Sequence, residues 1–85
     1  MLNIFCGWFS TWDDAGNQGG FTIICASEAD GLKYFEETCG EDLYLNDCGF
    51  DRLEQSEVDE LILEYEGGII DKEWFTAEAF HNLFN

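Results

Sequence analysis

The chain has 85 residues and a formal charge of -16, with 19 carboxylates opposed by 3 basic side chains. That length predicts a single domain, residues 1–85, burying about 60 to 65 per cent of its unfolded surface. A hydrophobic content of 46%, with 16% aromatic residues and no proline, excludes an acidic disordered segment, because there is enough apolar surface to offset the entropy of folding.

The opening run from Leu2 to Phe9 alternates Leu2, Ile4, Cys6 and Trp8 with Asn3, Phe5, Gly7 and Phe9. Both faces are largely apolar, which predicts a strand covered on two sides, with Trp8 inside. The run lacks a basic flank and is cut short by Asp13 and Asp14, so neither a signal peptide nor a membrane span is expected, and a cytoplasmic location follows. Thr11 to Gly20 is rich in turn residues and predicts a connection, with Trp12 left open near it. Phe21 to Ala26 is aromatic and β-branched, a second and antiparallel strand.

Ser27 is a helix cap, and Glu28 and Asp30 suit the positive end of the helix that follows. Ala29, Leu32, Phe35 and Cys39 recur at helical spacing up to Gly40, predicting a helix over 28–39. Gly31 inside it costs about 1 kcal/mol relative to Ala, a sign of close packing against the sheet or of a frayed first turn. Leu43 to Leu45 reads as a short third strand and Asn46 to Gly49 as a turn. Ser56 with Asp59 resembles a capping box, predicting a helix over 57–66 that stops at Gly67 and Gly68. Its apolar stripe is Val58, Leu61, Ile62 and Tyr65. Residues 69–75 read as a strand or a helical turn, with the turn preferred, and Thr76 caps a terminal helix over 77–84 whose buried face is Phe80, Leu83 and Phe84. The predicted fold is α+β, a small antiparallel sheet of two or three strands packed against two or three helices.

No catalytic constellation is evident, and the chain is expected not to be an enzyme. Cys6, Cys25, Cys39 and Cys48 lack the paired spacing of a zinc site, and nothing places His81, the single histidine, beside a thiol. The cysteines are expected as reduced thiols. A calcium loop aligned on Glu64, Glu66, Gly67, Ile69 and Glu73 puts Ile62 at its first position, where a hard cation needs oxygen. No cofactor or metal is therefore expected.

The charge has a pattern. Glu57, Glu60 and Glu64 share one helix face, spaced axially by about 4.5 and 6 Å, close to the pitch of a phosphate row. Glu36, Glu37, Glu41, Asp42 and Asp47 form a second cluster, and Asp59 flanks the first. Glu36, Glu37, Glu64 and Glu66 stand at helix ends, where the dipole disfavours negative charge by about 0.3 to 1 kcal/mol each. Solubility alone is met by mixed signs and a net charge of about 2 to 8 in magnitude, so this density points to a basic partner.

In size, charge and expected α+β organisation the whole chain resembles the small, acidic, phage-encoded inhibitors that act as DNA mimics, among them many anti-CRISPR proteins. The resemblance rests on no diagnostic motif. It implies an inhibitor acting in a bacterial host cytoplasm, whose carboxylates occupy the basic site where a nuclease or CRISPR effector subunit holds nucleic acid. The alternative is an adaptor that binds a partner through aromatic contacts, its charge serving solubility.

Overall fold

The computed structural model describes residues 3 to 85 and shows an α+β fold. The strands are β1 (Phe5–Trp12), β2 (Gln18–Cys25) and β3 (Tyr44–Arg52), and the helices are α1 (Glu28–Thr38), α2 (Gln55–Glu66) and α3 (Ala77–Phe84), with a 3-10 turn at Lys72–Trp74. The sheet is antiparallel in the order β2-β1-β3, so the first strand in sequence is the central one in space.

Side-chain alternation divides the core into two layers. Phe9, Phe21, Ile23, Cys48 and Phe50 point to one face and pack with Tyr34 and Phe35 of α1. Ile4, Cys6 and Ile24 point to the other, where they meet Val58, Leu61, Ile62 and Tyr65 of α2, together with Phe75, Ala79, Phe80, Leu83 and Phe84. The two-sided apolar pattern of the first strand thus has its cause in two-sided cover. That strand begins later than the sequence indicated, at Phe5, and Leu2 lies outside the described residues.

Helix starts follow local chemistry. The Ser27 hydroxyl accepts from the Asp30 backbone N–H at 3.0 Å, and Thr76 accepts from Ala79 N–H at 3.1 Å. Asp30 also accepts from Ala26 N–H at 2.9 Å and from the Thr76 hydroxyl, fastening the end of β2 to the starts of α1 and α3. This carboxylate is a strut as well as a complement to the helix dipole. Gly31 is buried, and a Cβ there would lie 2.5 Å from the Phe50 ring and 3.2 Å from Cys25 Sγ. Its conformational cost is thus tied to close contact with the sheet rather than to fraying.

Three local expectations are corrected. The connection between β1 and β2 is shorter than Thr11 to Gly20, because Thr11 pairs with Gly19 and Ser10 with Gly20 in the ladder. Asn46 to Gly49 is no turn: it lies within β3, which pairs with β1 from Tyr44 to Arg52, and a register shift leaves Asn46 as the extra residue opposite Ser10 and Thr11. Pairing with the central strand overrides the turn composition. Finally, α2 starts at Gln55 rather than Glu57, its box formed by Glu54 and Glu57 in place of Ser56 and Asp59, with Glu54 N–H donating to Glu57 Oε1 at 3.1 Å. Leu53 N–H is held by Ile4 O at 2.8 Å, so the chain turns into the helix immediately after the sheet.

Candidate functional site

On the α2 side of the sheet, cover is incomplete. Cys6 and Ile24 form one cross-strand row with Asp51 and lie under the helices; the next row, Thr22, Trp8 and Gly49, emerges from them. Trp8 is 39% exposed rather than inside, and Trp12 is half-buried. The Trp8 indole lies against Gly49 so closely that any Cβ at that position would collide with the ring. Glycine lets the indole lie across β3.

Because Cys48 and Phe50 face α1, the alternation of β3 sends Asp47 and Asp51 to this same open side. Between the sheet and α2 lies a cleft of about 300 Å³. Cys6, Thr22, Ile24 and Leu53 contribute its floor, Glu57, Glu60, Leu61 and Glu64 one wall, and Trp74 the other. Trp74 is half-exposed and also borders a second depression, with Thr22, Asp71 and Glu73. Among the described residues no basic side chain lines either one.

The field in the cleft is negative. Burial pushes the Cys6 thiol up, and the nearby carboxylates of Asp51 and Glu57 push it further in the same direction. Cys25 is pushed up to about 11, by burial first and then by Asp30, and Cys39 is raised by burial and Asp42. These thiols are held in the protonated form, which works against a cysteine nucleophile. All four cysteines are free thiols. Among the described residues no group of three or more His, Cys, Asp or Glu side chains is placed to hold a metal ion, and no helix is long and apolar enough to cross a membrane.

The nine carboxylates singled out in the sequence fall into two groups. Glu57, Glu60 and Glu64 share the cleft wall as their spacing indicated, although Glu64 is half-buried and Glu57 also caps its helix. Asp59 lies outside the lining and accepts from Gln55 Nε2 at 2.9 Å. Asp47 stands on the open sheet face beyond Trp8, in the row of Ser10. Glu36, Glu37, Glu41 and Asp42 belong to the end of α1 and the turn after it, on the layer that covers the opposite face. Glu37 there meets Lys33 at 4.0 Å, an exposed pair of small energetic consequence. One continuous acidic surface containing all nine is not what the layers produce.

Trp74, Asp51 and the floor residues Cys6 and Thr22 were missed by sequence reasoning. A period-two signal for Asp51 was present in Asp47, Gly49 and Asp51 alternating with Cys48 and Phe50, but the turn-like composition masked it. The chain matches no protein-family model, no curated protein and no solved structure.

Proposed function

We propose that this protein is a non-enzymatic inhibitor whose carboxylates occupy the basic nucleic-acid site of a partner protein, with a nuclease or a CRISPR effector subunit as the specific form. The observation that carries the proposal is the cleft wall of Glu57, Glu60 and Glu64, joined on the same side of the sheet by Asp47 and Asp51, with no basic side chain in the lining among the described residues. A surface of this kind repels nucleic acid and attracts the Lys and Arg groups that hold it. The α1-side carboxylates strengthen the long-range field and steer the encounter.

The exposed indoles of Trp8 and Trp74 favour a second reading, an adaptor that docks through aromatic contacts. Salt separates the two. The immobilised protein is used to capture its partner from a bacterial lysate, and the dissociation constant of the purified pair is then measured from about 0.05 to 0.5 M salt, across which the Debye length shrinks from about 14 to 4 Å. Charge-driven blockade predicts a loss of affinity of about a hundredfold or more over that range. An affinity that hardly changes would select the aromatic adaptor.

A further inference from the structure

Building on the reading of an acidic surface that meets a basic partner, we infer that the cleft between α2 and Trp74 receives a single arginine side chain of that partner, its guanidinium stacked on the Trp74 indole and paired with Glu60 and Glu64. The dimensions set the scale of the occupant. At about 300 Å³ the cleft sits at the lower bound of small-molecule sites, which suits one long side chain.

Its chemistry is divided in the way an arginine is divided. The floor offers Cys6, Ile24 and Leu53 to an aliphatic stem, with Leu61 beside them in the α2 wall, while the walls offer carboxylates on one side and a half-exposed indole on the other. An anion is repelled by the three glutamates. An apolar side chain would take water from the half-buried Glu64 carboxylate, which has no side-chain hydrogen bond among the described residues, and give it no partner in return. Arginine fits better than lysine, because a planar guanidinium stacks on an indole and divides its N–H donors between separate carboxylates, whereas an ammonium is a compact, strongly hydrated point charge. The cleft is not occupied by the chain's own lysines. Lys33 lies beside Glu37 and Lys72 Nζ stands 5.2 Å over the Phe80 ring.

The test needs no partner. The ¹⁵N-labelled full chain is titrated with N-acetyl-arginine amide, and the backbone and indole N–H resonances are followed beside parallel titrations with N-acetyl-norleucine amide and N-acetyl-glutamate amide. The expected result is saturable shifts confined to the Trp74 indole and to Thr22, Glu60, Leu61 and Glu64, with neither control producing them. Trp74→Ala should weaken arginine binding about fivefold, the scale of a partly desolvated cation–π contact. Glu60→Gln, at an exposed position where refolding is not in question, should weaken it about threefold, the scale of one exposed charge pair. Equal binding of norleucine would overturn the inference, as would non-saturating shifts spread alike over α1 and α2, or unchanged arginine affinity in the Glu60→Gln variant. Such a result removes the arginine site alone. The blockade reading stands or falls separately, on the salt dependence of partner binding.

Discussion

Replacing Glu60 by Lys and Glu64 by Gln together is expected to weaken partner binding and inhibition by about a hundredfold or more, since like charges set against a basic surface cost several kcal/mol. These two positions are chosen because the change leaves the fold's own interactions in place. Glu57, the third carboxylate of the wall, accepts from Glu54 N–H and closes the start of α2, so its removal would cost about 0.5 to 2 kcal/mol of stability and confuse the result. Glu60 is exposed, and Glu64 keeps its shape as Gln. The comparison that gives the experiment its force is Glu36→Lys with Glu37→Lys at the end of α1, on the layer covering the other face of the sheet. That pair changes the net charge by more, yet should alter affinity only through steering, by about tenfold or less. Equal losses from both pairs, with melting temperatures unchanged, would mean that total charge and not the α2 wall makes the contact.

Phe9→Ala is expected to be the most damaging single change to the fold. The Phe9 ring is 2% exposed and stacks on Phe21 at 5.0 Å and on Phe35 at 5.7 Å, while Phe50 meets its edge at 5.7 Å. It therefore joins all three strands to α1. Truncating a buried Phe costs about 3 to 5 kcal/mol, which for a domain of this length approaches a total stability of about 4 to 13 kcal/mol. Thermal unfolding followed by circular dichroism should show a melting temperature lower by at least about 12 °C, given about 4 to 8 °C per kcal/mol at this size. A fall of less than about 5 °C would show that the α1 layer does not hold the sheet. Phe84→Ala in the other layer provides the contrast: its ring is half-buried and packs on Tyr65, Phe75 and Phe80, so it should cost less.

The elements legible in the sequence are those fixed by neighbours a few residues away. Ser27 and Thr76 cap their helices through hydrogen bonds spanning three residues, and the Val58, Leu61, Ile62 and Tyr65 stripe is a local periodicity that any apolar surface would receive. What was hidden depends on partners distant in the chain. Asn46 to Gly49 has the composition of a turn, and only β1, about forty residues earlier, makes it a strand. Trp8 has the pattern of a core residue, but α2 and α3 stop short of its row and leave the ring partly in water.

The site was legible to the same extent. The face shared by Glu57, Glu60 and Glu64 follows from helical spacing alone. Which side of the sheet α1 and α2 each take does not, because an amphipathic helix is indifferent to the face it covers until the strand alternation is known. That choice separates Glu36, Glu37, Glu41 and Asp42 from the α2 wall. It also brings Asp51 and Trp74, distant from each other in sequence, to the same side of the sheet.

The two cores explain how the molecule tolerates its charge. Repulsion among 19 carboxylates is opposed by aromatic packing on both faces of a three-stranded sheet, so the anionic groups are free to serve the surface. The measurement that tests the central claim most directly is competition at the captured partner. Fluorescence anisotropy of a labelled oligonucleotide bound to the partner is followed as this protein is added. The account predicts stoichiometric displacement of the oligonucleotide, overcome when the concentration of the labelled oligonucleotide itself is raised. A stable ternary complex, with oligonucleotide and protein bound to the partner together at saturation, would contradict it.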